Sequence, residues 1–596
     1  DAAQVAALRD EGAASKDLCT HCSALPPLGG VTGCLHAYLT TRGGMTMAEL
    51  TGSEILARSL KNEGTEVLFF LMGGPMLLAE ASCIKEGIRP IDVRHEQAAA
   101  FMGQAYSRLL QKPSVCMAAS GPGVINLTTG IANALIDCVP VVAIGGSSGI
   151  KVFGRQTFQE IDQLAIMKGC TKWCDRIYSL KRIPEQVNAA FQKAMSGKPG
   201  PVYLDFPGDL LYEKIPEEEV DWSLSGRPLL AARPMGEQKR IDELIDALGK
   251  ARQPVIVSGS GVLWSQAWDE LRAFVEKAGI PFYTTPQGRG VLPDDHEHSY
   301  LTMRSTAFRD ADLILVVGTR MNYIISYAAP PRFGADATIA RIDIDADEIA
   351  SSPRKVDIGI VGDCKMVLQQ ILESMGGRIK ADQYGPWRKK LADGDAEKRA
   401  AAVPGASMNE VPIHPLRLCE EVKNFMQRDA ILVVDGQEIL NYGRQSMPTF
   451  EPGHRLNSGP FGTMGVGLPF GLGAKVAKPD KQVIVVHGDG SFGLNAMELD
   501  TAVRHKIPVL VVISLNGGWT ADPDGVKPGR ELGYTRFDKM AEALGCYGEY
   551  VEQPEEIRPA LERAQQKVDE GMVAVVNIKT DHRARAGTVA FSSYST

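Results

Sequence analysis

The chain has no apolar run approaching the length of a bilayer span, which argues against a transmembrane helix and leads us to expect a soluble protein. It also lacks a large excess of one charge. A net charge of −8 over 596 residues gives no reason to expect nucleic acid or an anionic membrane as partner. A disulfide framework is missing as well: the 11 cysteines are an odd count, scattered through apolar stretches such as "SVCMAAS" and "EALGCYG". That is the pattern of reduced, buried thiols and points to the cytoplasm. What is present is 44% apolar and 23% charged residues, an ordinary globular composition, in a chain long enough for about three domains.

Residues 1–44 show no sustained periodicity, and the first methionines are Met45 and Met47. Cys19, Cys22, Cys34 and His36 invite a zinc reading, but the spacing after the first pair is too short for the common patterns. Residues 1–46 are therefore expected to be a leader, a fusion scar or a disordered extension. From Met47 the sequence alternates helix-like and strand-like segments. "TEVLFFLMGGP" runs into a turn at Gly73–Pro75, and "RPIDVRHEQAAAFMGQAYSRLL" passes from a strand to a helix near His95 and Glu96. The alternation fills 47–215, resumes over 238–374 and again over 413–580, with a tail at 581–596. Residues 216–237 are Pro-rich and 375–412 charged, and both read as loop-rich linkers. The fold class expected is α/β, with three doubly wound parallel-sheet domains.

The most informative stretch is "KQVIVVHGDGSFGLNAMELDTAVRHKIPVLVVISLNGGW". It reads as strand, one helix, strand, the length of a right-handed crossover, which puts Asp489 and Asn516 at carboxyl ends of parallel strands. A carboxylate, an amide oxygen and a glycine carbonyl are hard donors that suit Mg²⁺ or Ca²⁺ held together with a phosphate. The helix start after Gly490 suits the phosphate.

These motifs resemble those of thiamin diphosphate enzymes of the acetolactate synthase and decarboxylase superfamily. The resemblance implies that Asp489, Asn516 and the Gly518 carbonyl hold Mg²⁺, and that Gly488, Gly490, Ser491 and Gln437 belong to the thiamin diphosphate site. It further implies that Glu96 bonds N1′ of the aminopyrimidine as the catalytic acid, beside the Gly73–Pro75 turn, and that Met464 wedges the cofactor into its bent shape. Leu515 stands where the family often has a second Asn.

"SGPGVINLTTGIANALIDCVPVVAIGGSS", "GRGVLPDDH" and "VVGTRMNYIISYAAPPRFG" are similar to the CoA-handling branch, the 2-hydroxyacyl-CoA lyases and oxalyl-CoA decarboxylases. Phe158-Gln159 replaces the Tyr-Glu of the decarboxylases and matches both lyases and acetolactate synthases. The resemblance thus implies cleavage of a 2-hydroxyacyl-CoA to formyl-CoA and an aldehyde or ketone, reversible as a condensation. The alternative is an acetolactate synthase-like carboligase acting on 2-oxo acids. Arg320, Asn322, Asp343 and Asp345 lie at strand ends of the central domain, where CoA or an activating ADP would meet them, with FAD or an empty domain as the other options. Trp519 is placed to narrow the substrate pocket or simply to pack, and Arg583 to sit on a lid or on a frayed tail. In the superfamily the active site lies between chains, which implies a homodimer or homotetramer in the cytoplasm.

Overall fold

The computed structural model describes residues 48–229, 232–406 and 408–586. The N-terminal segment with its cysteines, and 587–596 of the tail that carried the lid reading, lie outside those residues. Long β-branched runs buried on both faces become the central strands of parallel sheets, as "ILVVD", "VIVVHG" and "LVVISL" do in the C-terminal sheet. That sheet contains Ile431–Asp435, Arg455–Leu456, Val483–Gly488, Leu510–Leu515, Tyr547–Val551 and Ala574–Lys579. Their spatial order is second, first, third, fourth, sixth, fifth. The N-terminal sheet, Val67–Leu71 through Val202–Pro207, is also six-stranded and repeats the same order. The central sheet, Pro254–Ser258 through Ile358–Val361, has five strands in the order second, first, third, fourth, fifth. All three are parallel; a small antiparallel pair, Glu49–Thr51 with Lys214–Pro216, ties off the first domain.

This order reverses between the first and third strands of each sheet, and such a switch point opens a crevice at the carboxyl ends. In the C-terminal sheet Asp435 pairs with His487 there, so Gly436-Gln437 and Gly488-Asp489 emerge side by side. In the N-terminal sheet Leu71 pairs with Ala118, which sets the Gly73–Pro75 turn beside Ser120 and Gly121. The outer two sheets share one continuous apolar core, in which Phe101 and Phe470 meet edge to face at 5.9 Å.

Two expectations need correction. The segment 375–412 is not loop-rich: Gly385–Ala406 is a helix. Among its described side chains it carries a thin apolar stripe, with Trp387 and Leu391 buried and the Trp387 indole donating to Pro254 O at 3.1 Å. Charge along the rest of the helix hides so narrow a stripe from a periodicity reading. The span after Gly490 is two helices, Asp489–Asn495 and Glu498–Arg504. At the break, the Asn495 amide donates to Gly465 O at 2.7 Å. Glu498 meanwhile accepts the N–H groups of Arg94 and His95 at 3.1 Å each, capping the helix that starts at Glu96. Burial pushes the Glu498 carboxyl up to about 7, although the Thr501 hydroxyl and both amides act against it.

The helix Leu77–Lys85, which follows the Gly73–Pro75 turn, buries Glu80 to 2% exposure with no hydrogen bond to either carboxyl oxygen among the described residues. Burial raises its pKa to about 8. A carboxyl raised in the folded state contributes full stability below its ordinary value of 4.5, and that contribution is lost as pH rises through about 8. The loss should be on the order of 5 kcal/mol across that window. Glu80→Gln is expected to flatten the fall in denaturant stability between pH 6 and pH 9 and to be more stable than the parent at pH 9. Parallel pH profiles for the two proteins would refute this account of Glu80.

Candidate active site

Asp489 opens its helix at the strand end and is 3% exposed. Its Oδ1 accepts the Gly490 N–H at 2.9 Å, whereas the buried Oδ2 has no hydrogen-bond partner among the described residues. Burial pushes this carboxyl up to about 6, against the amides of Gly490, Gly517 and Gly518 and the charge of Arg530. Across the crevice, Asn516 Oδ1 accepts the Gly518 N–H at 3.1 Å. Gly518 forms a bridge with Glu531, flanked by bonds from Trp519 N to Arg530 O and from Leu532 N to Gly517 O. That pattern makes Gly518 the non-hydrogen-bonded member, so its own N–H and C=O turn away from the partner strand, to the side where Asn516 sits. A buried carboxylate oxygen without a partner, an amide oxygen and an outward carbonyl form a donor set that fits a hard divalent cation.

Around this point Gly436, Gln437, Met464, Gly488, Gly490, Ser491 and Trp519 line one small pocket. Ser491 Oγ donates to Gly488 O at 3.0 Å and lies 3.1 Å from His487 Nδ1, which fixes the turn. Trp519 packs directly on that turn, since a Cβ on Gly490 would sit 2.7 Å from its ring. The Trp519 ring therefore covers the Gly-Asp-Gly turn, which explains why position 490 is glycine.

In the N-terminal domain, Glu96 is 6% exposed at the first turn of its helix, with His95 as N-cap. Glu96 Oε2 accepts the Asn126 amide at 2.9 Å, and Oε1 faces Gly123. The neighbouring turns interlock: Ser120 N donates to Gly74 O at 3.2 Å and Ser120 Oγ donates to Gln159 Oε1 at 2.8 Å. Gln159 thus belongs to the Glu96 side, while Phe158 points into solvent at 85% exposure. Neither Glu96 nor Gly73, Pro75, Phe158 or Gln159 lines the pocket at Asp489 or the cleft beyond it.

The central-domain residues divide. Arg320, Asn322 and Asp343 line a cavity of about 300 Å³ between the central and N-terminal domains, together with Cys138, Lys198, Gly459 and Pro460. Its charges are already matched internally. Arg320 contacts Cys138 Sγ at 2.7 Å and Glu348 at 3.4 Å, and Asp343 meets Arg341 at 3.0 Å. Asp345 is not in the cavity wall: it pairs with Lys198 at 2.7 Å and caps the helix Ala346–Ala350. Arg583 is exposed and tied to Asp581 at 3.1 Å; Arg585 lines the neighbouring cleft instead.

That cleft, about 2660 Å³, was not foreseen. It runs from Gln437, Met464 and Thr520 to Arg289, Arg304, Arg332, Arg444 and Arg455. Asp294 pairs with Arg289 at 2.7 Å, and Arg304 Nε and Nη2 have no hydrogen-bond partner among the described residues. Burial, reinforced by Arg332, Arg289 and Arg444, drives the Arg304 guanidinium down to about 9. These arginines come from distant segments, so no local pattern in the chain announces them.

The described cysteines are all free thiols. No helix among the described residues is long and apolar enough to cross a membrane. The chain matches three family models: "Thiamine pyrophosphate enzyme, N-terminal TPP binding domain" over 50–166, the "central domain" over 241–371 and the "C-terminal TPP binding domain" over 440–578. It is 33% identical over 544 residues to a 2-hydroxyacyl-CoA lyase of Arabidopsis thaliana, covering 87% of this chain and 93% of that protein. It is also 33% identical over 536 residues to an acetolactate synthase large subunit of Mycobacterium tuberculosis, covering 88% and 95%. Human 2-hydroxyacyl-CoA lyase 1 is 30% identical over 558 residues, covering 90% and 95%. With three matching family models in chain order and relatives aligned along most of its length, the chain belongs to the thiamin diphosphate enzyme family.

Proposed function

We propose that the protein is a 2-hydroxyacyl-CoA lyase, cleaving the C1–C2 bond of its substrate to formyl-CoA and an aldehyde or ketone. Identity does not separate this from the acetolactate synthase reading, since both kinds of relative stand at 33%. The observation that carries it is the arginine-lined cleft opening from Met464 and Gln437. A free 2-oxo acid brings one carboxylate and needs far less than 2660 Å³, whereas a CoA thioester brings a long arm and several phosphates. Arg304 and Arg332 suit those phosphates by charge and by their fork of donors.

In this reading Asp489, Asn516 and the Gly518 carbonyl hold Mg²⁺, and Gly488, Gly490, Ser491 and Gln437 frame the diphosphate. Thiamin diphosphate, when bound, supplies the electron sink that C–C cleavage needs. Met464 would support it, the Gly73–Pro75 turn would border it, and Glu96 would hold and move a proton at the aminopyrimidine nitrogen. Since Glu96 does not line the Asp489 pocket of its own chain, the complete site is assigned to two copies, a homodimer at least. Exposed Met72, Leu77 and Leu78 beside one half-site, and Leu494 and Met497 beside the other, suit such an interface. The central cavity at Arg320 and Asp343, about 300 Å³, is small for a whole CoA thioester and then suits a nucleotide such as ADP better than the substrate. A cytoplasmic location accords with the free thiols.

The test is mass spectrometry of a reaction with thiamin diphosphate, Mg²⁺ and 2-hydroxyisobutyryl-CoA, beside one with pyruvate alone. Formyl-CoA and acetone support the lyase; acetolactate with no thioester consumed overturns it. Arg304→Met is expected to raise KM for the thioester by roughly 10- to 100-fold, the cost of a lost charged hydrogen bond, with a smaller change in kcat. An unchanged KM would remove Arg304 from substrate binding.

A further inference from the structure

Arg530 is 4% exposed and lies beneath the loop that follows Asn516. Its guanidinium donates to Asn516 O at 2.7 Å, Gly517 O at 3.2 Å and Thr520 O at 2.9 Å. Its own carbonyl accepts the Trp519 N–H at 3.1 Å. The approach is close enough that a Cβ on Gly518 would lie 2.3 Å from Arg530 O and 2.7 Å from Arg530 Cζ. A tight turn of this kind offers several carbonyls to an incoming cation, and each could become a competing ligand. The Arg530 fork turns those of Asn516, Gly517 and Thr520 inward. Gly518, at the non-hydrogen-bonded place in its bridge with Glu531, keeps its carbonyl on the side of the Asn516 amide.

We infer that Arg530 is a positioning residue for the divalent cation: by occupying three loop carbonyls it leaves Gly518 O, Asn516 Oδ1 and Asp489 as one preorganised donor set. This rests on the reading of Asp489, Asn516 and Gly518 as the cation site. A lysine cannot replace it, because a single ammonium lacks the planar fork that spans three acceptors. A rigid small donor set also favours Mg²⁺, which demands near-ideal short bonds, over Ca²⁺, which tolerates a looser cage.

The experiment is calorimetric titration of the full-length protein with Mg²⁺ and, separately, Ca²⁺, at saturating thiamin diphosphate, for the parent, Arg530→Met, Arg530→Lys and Asp489→Ala. Loss of an orienting partner typically weakens metal binding by ~10- to 100-fold. Arg530→Met is expected to weaken Mg²⁺ binding within that range and to narrow the preference for Mg²⁺ over Ca²⁺, with Arg530→Lys showing the same narrowing. A structural defect alone would lower the thermal midpoint without changing the ratio of the two cations. Unchanged Mg²⁺ affinity and selectivity in the Arg530 variants overturns the inference, and Arg530→Lys decides the matter if Arg530→Met does not fold. If instead the parent binds no Mg²⁺, or Asp489→Ala binds it as the parent does, the cation-site reading itself fails.

Discussion

Glu96→Gln is expected to lower kcat by roughly 10²- to 10⁴-fold, the usual contribution of a positioned proton-transfer group, while thiamin diphosphate still binds. The substitution keeps the shape of the side chain and a carbonyl oxygen for the Asn126 amide, which now meets Glu96 Oε2 at 2.9 Å. It removes the charge and the ability to carry a proton. The backbone should not move, because the helix start is held independently by the His95 cap and by Glu498, which accepts the amides of Arg94 and His95. Steady-state rates beside calorimetric cofactor titrations give the check. A variant that keeps turnover within a few-fold of the parent would mean that Glu96 only shapes the helix terminus. One that loses cofactor binding altogether would mean that its charge is needed for assembly of the site.

The parts of this molecule that could be read in advance are those whose physics is local. Continuous β-branched runs can only be buried strands, and a Gly-Asp-Gly turn after "VIVVH" marks a strand's carboxyl end, so the parallel sheets and the places of Asp489 and Asn516 were legible. The repeated strand order of the two outer sheets was not, yet it is what brings Gln437 next to Asp489 and the Gly73–Pro75 turn next to Ser120. Interactions between remote segments were equally hidden. Glu498 reads as an ordinary acid in "AMELDTA", and only the break after Asn495 lets it cap a helix about 400 residues earlier. Arg304, Arg332, Arg444 and Arg455 are scattered basic residues until the central and C-terminal domains enclose them. The side chains at the strand ends of the central domain part company for the same reason. Asp343 faces the central cavity, but Asp345, two residues on, turns to Lys198 and a helix cap.

Asp489→Asn is expected to abolish Mg²⁺-dependent binding of thiamin diphosphate and, at the same time, to stabilise the metal-free protein at neutral pH. Both effects follow from one atom. Asp489 Oδ2 is buried without a hydrogen bond among the described residues, so the surrounding amides and Arg530 only partly offset the burial of its charge until a cation arrives. Burial accordingly raises the folded pKa to about 6 from an ordinary 3.8. For a carboxyl raised in this way, metal-free stability is fullest below the unfolded pKa and falls as pH rises through about 6, by about 3 kcal/mol in all. Asparagine carries no charge to bury and recovers that stability, but it offers the cation only a neutral oxygen. Thermal midpoints at pH 8 decide the question. The parent should gain markedly when Mg²⁺ and thiamin diphosphate are added together, as any ligand that binds only the folded state requires. Asp489→Asn should start at or above the metal-free parent and gain nothing. A variant that responds to Mg²⁺ and cofactor as the parent does would place the cation elsewhere and leave the orphaned oxygen without a function.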